Sequence, residues 1–399
     1  MKRFLGSFKI YNFLWIALII RLLFLPLTFH SDLNTNSIWG VYAHEFGLRG
    51  YYDWLSFGNY ARPEYPPLST IVFLVLRVLY ESLFSIFWKV NALLPIFPSE
   101  MIVWLDRYGY MGILKLPGVI ADLGIGYMIY KFTKKRLFAN FYLFNPAVIY
   151  LSAIWGQTES VVGFFGLVAL LYLTVNKYVS SFWSMFVSLM IKATMVPLSG
   201  VLVFEAIRKR MGVRNVMMIV ICFLAALFVV GYIFTDHAFI SWTIRSYVQK
   251  FMTGAHSQRF LNLNAFNFWG LIFGQMRIPD QAYLVPAYVL TVVFYVITFI
   301  RYIKRKDKDI FFLALLVFYM TFLFLPRMHE RYLYPIFVFF PFVLAKTIKL
   351  KRIFYLASGV FLVNLMSGWT IPVMPEVVFR GLSAVNLGIF GYLLWKYLS

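Results

Sequence analysis

The sequence predicts an all-α integral membrane protein, on three observations. Of its 399 residues, 61% are hydrophobic and only 13% charged, against roughly a quarter charged in an average soluble domain. Its apolar residues run in segments long enough to span a bilayer, giving a mean hydropathy of +0.76. Its Lys and Arg residues gather in short stretches between alternate segments. Segments near 10–28, 111–130, 137–155, 159–176, 215–235, 284–303, 309–326, 332–348, 353–371 and 379–396 read as full crossings, so about ten are expected, because about 17–25 apolar residues span the hydrocarbon core. The first follows Lys2, Arg3 and Lys9 without a small-residue cleavage pattern and reads as an uncleaved signal anchor.

The basic stretches are the N-terminus, 131–136, Lys177, 205–214, 301–309, 346–352 and Lys396. They hold nearly all of the +21 net charge. Positive loops stay cytoplasmic, so both termini are expected inside, and no nucleic-acid partner is needed to explain the charge. Only two crossings then fit between the N-terminus and 131–136. The apolar stretch 66–94 is therefore expected outside, as an interfacial or shallow re-entrant helix, and its Arg77, Glu81 and Lys89 agree. The outer loop 29–110 is long enough to be a functional element. Lys177 and the basic run 208–210 bracket 180–206, and each half around "KATMVP" has about 13 residues and reaches roughly 20 Å, short of a ~30 Å core. The spacing predicts a broken pair of short helices meeting near Pro197, with Lys192 held deep in the membrane. The remaining outer segments are 155–159, a second long loop at 236–283, 327–331 and 372–378. The whole chain, 1–399, reads as one membrane-embedded domain.

Several residues carry chemistry on the outer side. "PRMHER" puts Arg327, His329, Glu330 and Arg331 against the positive-inside trend, which suits a dedicated anion; snorkelling to lipid headgroups is the alternative. Lys192 marks a pathway or counter-charge site, or an internal ion pair with Asp122 or Glu159. Asp32 opens the first outer loop as a catalytic carboxylate or a helix cap. Glu159 and Gln157 in "IWGQTES" stand at another outer helix end, where an N-cap is the simpler reading. In "EYPPLST", Pro66 and Pro67 form a rigid helix start that would hold Glu64 and Tyr65 in place. Cys222 is the single cysteine, and neither it nor the five histidines show metal-ligand spacing; "HERYL" is not the zinc pattern because its fifth residue is Leu333. One carboxylate facing a set of cations suits a lipid phosphate opposite a general base.

In order along the chain, Asp32, "YPPL" at 65–68, "KLPGVIADL" at 115–123, "NPAVIYLSAIWGQTES" at 145–160, "IKATMVP" at 191–197 and "HERYLYP" at 329–335 resemble the GT-C superfamily of polyprenyl-phosphate-sugar-dependent glycosyltransferases. The series is similar to the dolichyl-phosphate-glucose glucosyltransferases, the glycosylphosphatidylinositol mannosyltransferase and compact prokaryotic relatives. The resemblance implies a GT-C-like bundle and an inverting hexosyltransferase that moves mannose or glucose to a lipid, glycan or protein acceptor. It assigns Asp32 as the base on the acceptor. Lys192, His329 and Arg331, with Arg327 beside them, would meet the donor phosphate. Glu159, Gln157, Tyr65, Glu64 and Asp122 would support the acceptor or the site. It implies no metal or other cofactor, and an extracytoplasmic site in what the compact chain suggests is a prokaryotic plasma membrane. The chain departs from the family in having no paired acid beside Asp32 and "GQTES" after the Asn-Pro segment. Two other readings use the same cations: a glycan ligase or polymerase with a lipid-pyrophosphate donor, and a flippase or transporter for anionic lipid-linked sugars. The single broken helix pair and the large first loop favour the enzyme over a transporter.

Overall fold

The computed structural model of the chain describes residues 2–53, 62–235, 241, 258–368 and 374–399. Nearly all regular structure is helical. Helices α1 (Lys2–Leu23) and α2 (Ser31–Phe46) precede α3 (Pro67–Leu93), α4 (Ser99–Leu114) and α5 (Leu116–Thr133). A short α6 (Arg136–Leu143) leads to α7 (Pro146–Ile149), which opens where the Asn145 side chain accepts from the Ala147 amide at 3.0 Å with Pro146 in the first turn. It runs on as a π-turn, Tyr150–Trp155, that ends at Gly156 with φ +82°. A Cβ there would lie 3.0 Å from Leu33 and Lys115, so this left-handed position needs glycine.

Helices α8 (Glu159–Thr174) and α9 (Tyr178–Ile191) are stapled together by a serine ladder. Ser181, Ser184 and Ser188 share one face of α9, and each hydroxyl donates to a carbonyl of α8: Ala169, Phe165 and Val162, at 2.8–2.9 Å. Lys192 then turns extended (φ −161°, ψ 142°), Ala193–Met195 makes one 3-10 turn, and α10 (Val196–Arg208) starts with Pro197 in its first turn. After α11 (Val213–Phe234) and a short α12 (Phe268–Phe273) come α13 (Leu284–Lys304), α14 (Ile310–Phe324), α15 (Pro335–Lys346), α16 (Lys351–Ser367) and α17 (Glu376–Leu398). Helix α14 is apolar all round and buried all round but for Thr321, as expected of a central helix.

Six helical runs are long and apolar enough to cross a membrane: α3, the α4–α5 run, α11, Gln281–Lys304, Ile348–Ser367 and α17; the bent pair Arg136–Leu143 with Pro146–Trp155 would make seven. This corrects the expected count of about ten, while the class, an all-α membrane protein, stands. Segments 159–176, 309–326 and 332–348 form helices of only 16, 15 and 12 residues. Such helices reach about 18–24 Å. Most of their side chains are buried against neighbouring helices. The stretch 66–94, expected at the interface, makes the 27-residue α3, which meets the length and hydropathy of a span. Its buried face is confined to Pro67, Ser69, Thr70, Phe73 and Tyr80. Parts of the 29–110 and 236–283 loops (54–61, 236–240 and 242–257), the 369–371 end of the 353–371 segment and positions 372–373 of the last outer loop lie outside the described residues.

Two connections are joined by strand pairing. Strand β1 (Asn262–Leu263) runs parallel to β2 (Met328–His329), and 258–261 pairs with 278–280 through a Phe260–Pro279 bridge and the Leu261 amide to the Ile278 carbonyl at 2.9 Å. Asparagines pin this layer to the bundle. Asn364 of α16 accepts from the Phe266 amide at 3.0 Å and donates to the Asn264 carbonyl at 2.6 Å; Asn386 of α17 donates to the Phe266 carbonyl at 2.7 Å. Backbone groups that a loop would leave orphaned are thus satisfied within the protein.

Candidate active site

A cavity of about 660 Å³ opens among the first turns of α2, the 64–66 turn, the break at 192–197, the β1 layer, the end of α14 and the 328–332 segment. Of the residues singled out from sequence, Asp32, Glu64, Tyr65, Pro66, Lys192, Pro197, His329, Glu330 and Arg331 line it. Gln157 and Glu159 stand directly behind that wall, 2% and 1% exposed.

The wall is a hydrogen-bonded chain. The Gln157 amide nitrogen donates to Asp32 Oδ2 at 2.6 Å, and Lys192 Nζ donates to Gln157 Oε1 at 3.1 Å. Lys192 Nζ also donates to Glu159 Oε1 at 2.6 Å and lies 4.7 Å from the centre of the Tyr65 ring. Burying an ammonium this deeply requires such partners. Asp32 sits in the first turn of α2, where the helix N-terminus favours a carboxylate. Its side chain is 29% exposed, and its Oδ1 accepts no hydrogen bond among the described residues.

Arg331 stands beside this wall. Its Nη1 donates to Glu330 Oε1 at 3.0 Å and lies 3.7 Å from Asp32 Oδ2, and the guanidinium packs 5.6 Å from the rings of Trp155 and Tyr332. Its Nε is buried without a hydrogen bond, 3.9 Å from Glu159 Oε1. Burial, reinforced by the charges of Arg331, Lys192 and Arg277, holds the His329 imidazole well below its usual value, so the ring is neutral at pH 7. Burial raises the Glu330 and Glu64 carboxyls, with Arg331 opposing in both. The cavity therefore presents one carboxylate oxygen with no hydrogen-bond partner among the described residues, a neutral imidazole and two cations held in place by acids. It can accept a proton and receive an anion.

Two expected site residues belong elsewhere. Asp122, fully buried on α5, pairs with Arg21 Nε at 2.9 Å and accepts from Tyr142 and Ser152 at 2.6 Å each. It supports the bundle and neither lines the cavity nor partners Lys192. Arg327 forms a close ion pair with Asp280 and does not line the cavity, so its charge is matched inside the loop layer. Sequence reasoning passed over Arg277, Asn36, Trp39 and Asn264, which line the cavity. It also passed over His30, stacked on Trp155 at 4.8 Å, and Lys115, whose ammonium donates to the Phe24, Leu27 and Ala153 carbonyls. A lysine inside "KLPGVIADL" was the available signal for the last. Among the described residues no group of three or more His, Cys, Asp or Glu side chains could hold a metal ion. Comparison with protein-family models and with curated proteins found no match for this chain.

Proposed function

We propose that this chain is a membrane glycosyltransferase that moves a hexose, mannose or glucose, from a polyprenyl-phosphate-sugar donor to a lipid, glycan or protein acceptor, with inversion at the anomeric carbon. The observation that carries the reading is the juxtaposition, at one cavity, of Asp32, whose Oδ1 accepts no hydrogen bond among the described residues, and the Arg331 guanidinium, 3.7 Å from Asp32 Oδ2 and with its Nε making no hydrogen bond among the described residues. An acceptor hydroxyl needs a base, and a departing lipid phosphate needs donors already in place as its charge develops. Asp32 takes the acceptor proton. The acceptor oxygen bonds to the anomeric carbon, and the bond from that carbon to the phosphate oxygen breaks, its electron pair leaving with the phosphate. Lys192, Arg331 and neutral His329 receive that phosphate. The ordered motifs that resemble the GT-C superfamily support the same reading, as does the cavity's position at the end of the bundle away from the basic loops. On this reading those loops are cytoplasmic, the cavity is extracytoplasmic, and the short buried helices complete a GT-C-like bundle.

The test is a reaction screen of purified protein with several polyprenyl-phosphate sugars, alongside Asp32→Asn. Loss of a general base typically costs about 10²–10⁴ in rate. Asp32→Asn is expected to lose transfer by that order while still binding donor. Transfer at the wild-type rate by the variant would remove Asp32 from the reaction, and donor translocation without a glycosylated product would turn the reading to a transporter.

A further inference from the structure

We propose that Gln157 is a positioning residue for Asp32: its amide holds the carboxylate through Oδ2 and so makes Oδ1 the atom that takes the acceptor's proton. The inference rests on the glycosyl-transfer reading for the identity of that proton, but the contact itself stands on geometry. The Gln157 nitrogen donates to Asp32 Oδ2 at 2.6 Å while its oxygen accepts from Lys192 at 3.1 Å. The orientation of the amide is forced. An ammonium can only donate and an ionised carboxylate can only accept, so the reversed amide would meet both neighbours with like groups. Glutamine is the side chain that does both at this reach. A glutamate would face Asp32 with a second carboxylate, and an asparagine is one methylene short.

The backbone is fixed to match. The π-turn ends at Gly156 in the left-handed region, and the Gln157 amide donates to the Leu151 carbonyl at 3.0 Å. Helix α5 packs close by at Gly118, where a Cβ would lie 3.4 Å from the Gln157 backbone carbonyl. Gln157 is 2% exposed, so it contributes no surface for an acceptor to bind. The titratable groups facing Asp32 are His30 on its own turn, Glu64 and Tyr65 on the proline turn, and Glu330 and Arg331 on the loop. Among the described residues none donates a hydrogen bond to it; Arg331 Nη1 is 3.7 Å away on the same Oδ2. In the reaction the acceptor hydroxyl gives its proton to Oδ1, its oxygen bonds the anomeric carbon, and the electron pair of the broken bond leaves with the donor phosphate.

Two measurements on the full-length protein in detergent test this, with Gln157→Met, nearly the same shape, and Gln157→Glu, the same shape with a charge. A carbodiimide modifies only the protonated carboxyl, so the pH midpoint of Asp32 modification, read by peptide mass spectrometry, follows its proton without any assay of transfer. Steady-state kinetics with a polyprenyl-phosphate sugar follow kcat, KM and the acid limb of the pH profile. Removing a donor from a carboxylate disfavours its charged form. Gln157→Met is expected to move the midpoint and the acid limb to higher pH together, and Gln157→Glu to move both further. The kcat of Gln157→Met should fall about 10–100-fold with donor KM within about twofold, a loss confined to the proton-transfer step. Unchanged midpoints in both variants overturn the proposal. So does a Gln157→Met enzyme with a raised acceptor KM but unchanged kcat and pH profile, which would make the residue a binding group. A shifted midpoint combined with full transfer by Asp32→Asn would instead leave the contact intact and overturn Asp32 as the base.

Discussion

His30 shows at the residue scale how the site's surroundings respond to pH. The ring is buried, lies nearly parallel to Trp155 at 4.8 Å, and meets the Tyr150 hydroxyl at 3.3 Å through Nε2. Burial lowers its pKa to about 4, with Asp32 opposing and Lys115 reinforcing. The unfolded chain therefore binds a proton near pH 6.5 that the folded chain refuses until about pH 4. Stability is full above pH 6.5 and falls as the pH drops through that window. The whole effect amounts to about 3 kcal/mol. His30→Phe keeps the stacking and removes the titration, so its thermal midpoint in detergent should decline less between pH 6.5 and 4 than the wild type's. Parallel declines would place the acid sensitivity elsewhere, with His329 next to examine. Asp32, Lys192, His329 and Arg331 were legible in sequence because charge at such positions has few structural explanations. Glu159 was one of the two acids open to Lys192, and the structure forms that pair at 2.6 Å; the partners of Asp122 and Arg327 were not legible. Arg21 and Asp122 are 101 positions apart, and Arg327 and Asp280 are 47 apart. Nothing local marks either pair, so both acid and base were open to misassignment.

At the scale of elements, the 325–334 connection is held by strand pairing to β1 and by Arg327. That residue adopts φ +62°, its amide donates to the Leu261 carbonyl at 3.2 Å, and its side chain meets fully buried Asp280. A non-glycine residue in this region is uncommon and persists only where surrounding contacts fix it. Removing one member of a mostly buried pair leaves the other uncompensated. Asp280→Asn is expected to cost about 1–3 kcal/mol. The effect should be local: hydrogen exchange should quicken over 325–333 and 258–263 while α15 keeps its protection, and donor KM should rise as Arg331 loses its fixed support. Uniform loss of protection across the bundle would show instead that the pair supports the global fold. The helix break at 192–197 could be read from the sequence because length, bracketing charges and Pro197 all bear on the same few residues. The strand pairing could not, since two-residue strands 66 positions apart in register leave no periodicity. The number of crossings failed for another reason. Apolar runs such as 309–326 are equally suited to lipid and to a protein interior, and the buried α14 is the latter.

At the scale of the molecule, the basic stretches gather at one end of the bundle and the cavity lies at the other. Lys346 pairs with Asp307 and Asp309 at 3.2 and 3.3 Å; Arg301 and Arg305 donate to the Ser399 and Tyr397 carbonyls at 3.0 and 2.8 Å. Tyr302 donates to Glu205 at 3.2 Å, Lys209 donates to the Leu173 carbonyl at 3.0 Å, and the Phe132 ring packs on Phe311 and Phe342. These contacts bring 131–136, 173–177, 205–210, 301–309, 342–350 and the C-terminal residues together. Helix α14 leads from Asp309 among them to Leu325 on the cavity wall, and α8 leads back from Glu159 beside the cavity to Thr174. Because positive residues remain on the cytoplasmic side, the proposed orientation puts the cavity outside, where a lipid-linked sugar already carried across the bilayer would be used. With Cys222→Ser as background, Gln281→Cys and Lys306→Cys place exposed thiols near the two ends. A membrane-impermeant maleimide added to intact cells is expected to label position 281 at once and position 306 only after permeabilisation. The reverse pattern would put the cavity in the cytoplasm. Asp32 and Arg331 would then face nucleotide-activated sugars, and a lipid-phosphate donor would lose its reason.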